Sequence, residues 1–192
     1  MKKFSMLFVA ALAVLAGMFG AASAQAATGI RVSSSSIGAG GRLTMNGNVI
    51  CDVLLTLTLT ANPIAKRTGV NQGTAAGTIR NCSGGGATGA GTVLAGITVQ
   101  YQSFSGTLPN ITRITINAPN AGFQLATIVG NCLYGGNLTG VGLTASALAV
   151  TAADFGASAT LPRVSGSGLC PASAQIRGVL AVLGTPPTIT LV

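Results

Sequence analysis

The clearest pattern in the chain is an alternation of apolar and polar side chains over residues 49–60. The odd-numbered residues are valine, cysteine or leucine, whereas most of the even-numbered residues are threonine or aspartate. A period of two is that of a β-strand with one buried and one solvated face. The alternation returns over residues 93–104, where we expect Ile97, Val99 and Tyr101 to point inward.

Shorter strand-like segments fill most of the remaining chain, at residues 29–37, 42–45, 74–80, 111–117, 122–129, 143–150, 158–164, 175–183 and 188–192. Clusters of glycine, proline and asparagine predict turns at residues 38–41, 83–86, 108–110, 118–121 and 135–137. Many short strands between such turns are typical of a sandwich or barrel. We therefore predict an all-β fold, an antiparallel β-sandwich or a barrel-like sheet. A short helix is the alternative only over the alanine-rich residues 145–155.

The first 24 residues have the layout of a secretory signal peptide. Lys2 and Lys3 precede an apolar run over residues 4–19, and the small residues Ala22, Ser23 and Ala24 offer a cleavage site. We predict a signal peptide over residues 1–24 and a single β-sandwich domain over residues 25–192. The protein is expected to be secreted or displayed at the cell surface, and not to be transmembrane once processed.

Four cysteines in an exported chain predict two disulfides. Four cysteines allow three connectivities, and we favour the two local closures, which pair Cys51 with Cys82 and Cys132 with Cys170. Each local closure spans roughly 30–40 residues and is worth roughly 3–4 kcal/mol in the loop-entropy model. A metal site is disfavoured, because the cysteines have no C-x-x-C spacing and the chain contains no histidine.

The composition argues against an enzyme. The chain has no histidine and only two acidic residues, Asp52 and Asp154. General acid–base catalysis needs a positioned titratable pair, and nothing in the sequence places these two aspartates together. We predict no catalytic residue, no metal site and no cofactor.

The charge of the chain is positive but dispersed. Eight of the ten basic residues follow the predicted signal peptide, at Arg31, Arg42, Lys66, Arg67, Arg80, Arg113, Arg163 and Arg177. Nucleic-acid binding usually requires a clustered basic patch, so we predict no nucleic-acid partner. Net positive charge does favour association with an anionic cell-wall polymer or glycan.

Two classes of non-catalytic function remain open. The first is a structural or adhesive role through contacts with itself or other cell-surface proteins, with Thr188, Ile189, Thr190, Leu191 and Val192 as a candidate assembly strand. The same strand is more simply explained as part of the protein's own sheet. The second is a soluble extracellular binding module for a glycan or hydrophobic ligand. Tyr101 and Tyr134 are its candidate ligand contacts.

Two stretches carry a family resemblance: residues 48–59, which contain Cys51 and the threonine-rich strand, and residues 101–112. There the chain resembles uncharacterised secreted β-rich proteins of bacteria, chiefly actinobacteria. More distantly, it is similar to proteins described as activators of alkane oxidation. The resemblance implies export, a β-sandwich-like fold and a role at the cell surface or in a biofilm. That family offers no catalytic residues to carry over.

Overall fold

The computed structural model describes residues 28–107, 110–156 and 159–192, so the predicted signal peptide lies outside the described part. Every regular element in these ranges is a β-strand, and the strands pair antiparallel, which confirms the predicted fold class. The strands are β1 (Gly29–Val32), β2 (Ser36–Met45), β3 (Val49–Leu59), β4 (Ile64–Ala65), β5 (Asn71–Ser83), β6 (Ala87–Val93), β7 (Ile97–Thr107), β8 (Asn110–Thr127), β9 (Gly130–Ser146), β10 (Ala149–Phe155), β11 (Thr160–Ser165), β12 (Ser173–Val182) and β13 (Ile189–Leu191).

Ten of these strands form one sheet that closes on itself. Six positions around the ring are the single strands β2, β3, β5, β8, β9 and β12. Each of the other two positions holds two short strands in succession: β6 and β7 lie between β5 and β8, and β10 and β11 lie between β9 and β12. The pairing of β12 with β2 completes the ring. The sheet is therefore the barrel-like form of the predicted fold, with eight positions and no open edge.

The two ends of the barrel differ. The β2–β3, β5–β6 and β8–β9 turns and the β11–β12 loop lie at one end, which also carries both disulfides. We call it the disulfide end. The β9–β10 turn and the last residues of β3 and β12 lie at the opposite end, next to the three-stranded sheet of β13, β1 and β4. We call this small sheet the cap, and its side of the barrel the capped end.

Both disulfides have the predicted local connectivity. Cys51 of β3 is bonded to Cys82 of β5, with 4.1 Å between their Cα atoms. Cys132 of β9 is bonded to Cys170 of the β11–β12 loop, with a Cα separation of 5.7 Å. The first bond joins two neighbouring strands, and the second ties a loop to the barrel wall.

The predicted strand over residues 93–104 is interrupted at residues 94–96. Leu94 leaves the sheet there and its side chain lies over Gly122 of β8, where an added Cβ would meet Leu94 Cδ1. The predicted turn over residues 118–121 is instead an irregular stretch inside β8. Its Asn120 side chain accepts a hydrogen bond from the Thr98 backbone N–H at 2.7 Å and donates one to the Gly96 carbonyl at 2.5 Å. The bulge in one strand thus supplies the hydrogen bonds that the interrupted strand lacks.

Two further predicted turns, at residues 38–41 and 135–137, are wrong because both stretches lie inside strands. An added Cβ on Gly40 would be 3.3 Å from Leu183, and one on Gly135 would be 3.2 Å from Val164. These glycines leave room on the outer face for side chains of adjacent strands, a role that sequence does not distinguish from a turn. The turn predicted at residues 83–86 is confirmed between β5 and β6. Two residues of the turn predicted at 108–110 lie outside the described ranges.

The alternative of a helix over residues 145–155 is wrong. A two-residue turn at Ala147 and Leu148, with φ of 46° and 69°, joins β9 to β10 as a hairpin. Two consecutive positive φ angles match the right-handed twist of the flanking strands. Val150, Ala153 and Phe155 then face the barrel core.

The cap covers its end of the barrel with apolar side chains. Ile30 of β1, Ile64 of β4 and Ile189 of β13 are all buried, and they pack in one cluster with Ile114 and Val150 of the barrel. The rest of the interior is a second apolar cluster that reaches from the middle of the barrel to the disulfides. The core therefore runs along the whole axis of the barrel.

Candidate functional site

The inward-facing side chains leave a cavity of about 110 Å³ in the middle of the barrel. Leucine, isoleucine, valine and phenylalanine form much of its wall, as the alternation over β3 and β7 predicts. Alanine occupies five inward positions on four different strands: Ala39 of β2, Ala75 of β5, Ala118 and Ala121 of β8, and Ala153 of β10. Leucine at these positions would fill the space, so the cavity exists because small residues face one another across the barrel.

Two smaller cavities continue the first along the axis. One, of about 20 Å³, lies beneath the cap and shares Ile37, Leu57 and Val99 with the middle cavity. The other, of about 70 Å³, lies towards the disulfide end and shares Leu55 and Leu138 with it. The three cavities therefore follow one another along the axis with shared walls, and we call them together the lumen and each of them a compartment.

The wall of the lumen is hydrocarbon. The middle compartment and the one towards the disulfide end are lined by apolar residues and one glycine. Only the compartment beneath the cap adds residues with polar groups, Gln72 and Tyr101. The side-chain amide of Gln72 accepts a hydrogen bond from the Ala65 backbone N–H at 3.1 Å and donates one to the Ala65 carbonyl at 3.3 Å. A space without polar partners does not hold ordered water, so the lumen favours an apolar occupant.

The two predicted tyrosines occupy different places. Tyr101 is buried and lines the compartment beneath the cap, and its burial raises the pKa of its hydroxyl. Tyr134 is fully buried in the core, where its ring lies 5.3 Å from that of Phe123 and its hydroxyl accepts a hydrogen bond from Asn46. Tyr134 thus packs in the core and does not line any of the three compartments. Since both rings are buried, neither offers an exposed face on which a sugar could stack.

The two aspartates are held by different arginines. Asp52 accepts hydrogen bonds from Asn81 at 2.9 Å and Arg42 at 3.1 Å, and these two contacts lower the pKa of its carboxyl. Asp154 accepts one from Arg113 at 2.9 Å. Each carboxylate is therefore part of its own ion pair on the barrel wall. No group of three potential metal ligands occurs among the described residues.

The candidate assembly strand pairs within its own chain. Ile189, Thr190 and Leu191 pair with β1, and Thr188 and Val192 extend the same ladder through backbone hydrogen bonds of 2.9–3.0 Å. The opposite edge of this strand is also engaged. The Ile189 N–H donates to the Leu148 carbonyl, and the Val150 N–H donates to the Pro187 carbonyl. In the structure this segment is therefore part of the protein's own sheet, which is the simpler of the two interpretations drawn from the sequence.

Comparison with known proteins yields no assignment: no family model, curated protein or solved structure matches this chain. The resemblance drawn from residues 48–59 and 101–112 thus stays a prediction. In the described ranges, no helix has the length and apolar character needed to cross a membrane. Both disulfides are compatible with an extracellular location.

The inward alanines are the functional candidates that sequence reasoning missed. Ala75 lies in a segment that the sequence identifies as strand-like and Ala153 in the alanine-rich segment, whereas Ala118 lies in the predicted turn over residues 118–121. Their spacing alone does not show that they face a common space. An alanine at an inward strand position is the only available signal, and it becomes informative once the strand order is known.

Proposed function

We propose that this protein is an exported, non-catalytic binding protein that holds a small apolar molecule in its lumen. The observation that supports this most strongly is the middle compartment, with its volume of about 110 Å³ and its hydrocarbon wall. Eight-position barrels have interiors that either fill with side chains or hold one small ligand. For comparison, a dry apolar cavity of about 150 Å³, somewhat larger than this compartment, takes up benzene or xenon.

The wall also limits the chemistry of the ligand. No charged side chain lines the three compartments. A carboxylate or ammonium group inside the lumen would lose its hydration without gaining a partner, which is strongly unfavourable. We therefore infer a neutral ligand with little or no polar surface, such as a small aromatic or short aliphatic hydrocarbon.

A structural or adhesive role through strand exchange receives less support. Both β1 and β13 would have to leave the cap, where Ile30 and Ile189 are buried. Binding to a glycan is weakened by the burial of Tyr101 and Tyr134. Association with other cell-surface proteins or an anionic cell-wall polymer stays a prediction that concerns the outer surface rather than the lumen.

The test measures the thermal midpoint of the oxidised protein with benzene, n-hexane or sodium hexanoate in sealed cells. A ligand present at about 100 times its Kd stabilises the folded state by about 2.7 kcal/mol. For a chain of this size, that raises the midpoint by roughly 5–10 °C. We expect such a rise with at least one hydrocarbon and none with hexanoate, because its carboxylate has no partner in the lumen.

Two neighbouring alanines of β5 provide a matched control. Ala75 faces the lumen, whereas Ala76 is exposed on the outer face. Ala75→Leu is expected to abolish the ligand-induced rise in midpoint, and Ala76→Leu to preserve it. Ala153→Leu fills the lumen from the opposite wall and covers the case in which the first variant folds poorly. Equal rises in the filled variants and the wild type would place the ligand elsewhere, and no rise with any hydrocarbon would refute the proposal.

A further inference from the structure

The three most exposed large apolar side chains of the described chain all lie at the disulfide end. Ile128 in the β8–β9 turn is 80% exposed, Leu169 in the β11–β12 loop 76%, and Val164 of β11 62%. We call these three residues the apolar tip. Single exposed apolar residues are ordinary on soluble proteins, whereas several at the same end of a domain are a candidate contact surface.

Hydrogen bonds within the β11–β12 loop hold Leu169 in its outward position. The Arg163 guanidinium donates hydrogen bonds to the carbonyls of Ser167 and Cys170, and the Leu169 N–H donates to Ser167 Oγ at 3.2 Å. The disulfide between Cys170 and Cys132 fixes the same loop to the barrel. The exposure of Leu169 is thus a property of a well-connected turn and does not come from a frayed segment.

Ile128 is held in a similar way. Its N–H donates to the Gly86 carbonyl at 2.9 Å, and its side chain lies over Gly86, where an added Cβ would be 3.3 Å away. Thr127 Oγ1 donates to the Gly130 carbonyl at 2.6 Å and closes the turn. Since Cys132 follows this turn closely and is bonded to Cys170, one disulfide keeps Ile128 and Leu169 at the same end.

Exposed arginines lie on the barrel wall in the half that carries the disulfide end. Arg80 lies near the end of β5, and Arg177 pairs with Thr44 near the end of β2; both are exposed. Asp52 is the acidic residue of this region, and Arg42 and Asn81 already engage both of its carboxylate oxygens. This half of the barrel therefore carries exposed arginines as well as the apolar tip, a combination that complements an anionic surface with an apolar interior.

We propose that the disulfide end docks on an anionic lipid bilayer. Ile128, Leu169 and Val164 enter the interface, and Arg80 and Arg177 contact the headgroup phosphates. In peripheral membrane binding, the burial of apolar side chains and the attraction of basic side chains to anionic lipids both contribute to affinity. A second copy of the chain is a poorer occupant, because two surfaces with the same positive charge repel each other. The proposal does not depend on whether the lumen holds a ligand.

The test is co-sedimentation of the oxidised protein with vesicles of phosphatidylcholine alone or mixed with phosphatidylglycerol. We expect binding to the anionic vesicles that weakens as salt is added. Replacing two of the three tip residues, Ile128→Ser together with Leu169→Ser, should weaken it at least tenfold, because two large apolar side chains no longer enter the interface. Arg80→Gln and Arg177→Gln should each weaken it about fivefold on anionic vesicles.

The matched control is Leu183→Ser, which changes a half-exposed apolar residue at the other end of β12. It should leave vesicle binding unchanged, and circular dichroism should show that each variant is folded. Three results would overturn the proposal: no binding to anionic vesicles, equal binding by the double serine variant, or equal loss in the Leu183 control. Analytical ultracentrifugation adds a fourth, since self-association that the double serine variant abolishes would assign the apolar tip to a contact between copies.

Discussion

The two ends of the barrel are closed by different physical means. At the disulfide end, two covalent bonds hold β3 to β5 and the β11–β12 loop to β9. At the capped end, backbone hydrogen bonds and buried isoleucines hold a three-stranded sheet in place. A covalent closure stays shut until it is reduced, whereas a non-covalent one opens at the cost of local unfolding. We therefore expect that a ligand of the lumen exchanges with solvent at the capped end.

The largest expected effect comes from removing a covalent closure. Cys132→Ala combined with Cys170→Ala opens a loop with a sequence separation of 38 residues. The loop-entropy model then predicts a loss of about 4 kcal/mol in the free energy of unfolding. Urea denaturation measures the loss. The paired variant of Cys51 and Cys82, with a separation of 31, should lose nearly as much. A loss below about 1 kcal/mol in both paired variants would contradict the claim that the disulfides stabilise this end of the barrel.

A slightly smaller effect is expected from weakening the cap. Ile189→Ala removes a fully buried side chain from beneath β13. Such truncations typically cost about 2–5 kcal/mol. Hydrogen exchange followed by mass spectrometry should show faster exchange at β1 and β13 than in the barrel. Thr190→Ala, which changes an exposed neighbour, serves as the control. It should change neither the free energy of unfolding nor the hydrogen exchange rates of β1 and β13. Uniform acceleration over the whole barrel would mean that the cap does not open as a separate unit.

An intermediate effect is expected at Gln72, whose amide fastens β4 to the barrel. Gln72→Leu leaves the backbone groups of Ala65 without these partners, which costs about 1–3 kcal/mol. We expect faster hydrogen exchange at β4 and faster uptake of a hydrocarbon by the lumen, with little change in affinity at equilibrium. Gln102→Leu changes an exposed glutamine and is the control. Unchanged uptake kinetics would argue against entry at the capped end.

The smallest effect concerns pH. The lowered pKa of Asp52 stabilises the fold above the unfolded-state pKa of about 3.9, and this stabilisation is lost as the pH falls through the lower folded value. The raised pKa of Tyr101 destabilises the fold only as the pH rises above about 10. The chain has no histidine, so the thermal midpoint should be nearly constant between about pH 5 and 9.

The Asp52 carboxyl and the Tyr101 hydroxyl lie towards opposite ends of the barrel. Asp52 lies beside Cys51 near the disulfide end, and Tyr101 lies beneath the cap. Acid should therefore lower the protection factors for hydrogen exchange first near the disulfide end, and alkali first at the cap. Asp52→Asn is expected to remove the acid-limb change, and Tyr101→Phe the alkaline one. A midpoint that changes steadily across neutral pH would show that another group governs the stability.

Local patterns account for what could be predicted from the sequence. The alternation over residues 49–60 correctly gives the buried face of β3, because side-chain direction in a strand depends only on parity. The disulfide pairing could be favoured because short loops close more easily than long ones. The hairpin at Ala147 and Leu148 was missed, because neither residue type is typical of a turn with two positive φ angles.

Long-range geometry accounts for what could not be predicted. The closure of the sheet depends on the pairing of β12 with β2, which no local pattern encodes. The same holds for Gly40 and Gly135, whose roles depend on which side chain the adjacent strand places over them. The lumen is the clearest case. Its volume depends on alanines from four strands facing one another, and each alanine alone is an ordinary strand residue.

The pairing of β1 with β13 in the cap has a consequence for the order in which the chain folds. The cap joins the earliest described strand to the latest, and a hydrogen bond between Thr188 and Ser33 spans 155 residues. As the chain is synthesised from the amino end, β1 has no β13 partner until the whole barrel has followed. Contacts of such long range form late in folding. The opening of the barrel then stays uncovered until β13 adds, and the proposed ligand would enter before that step.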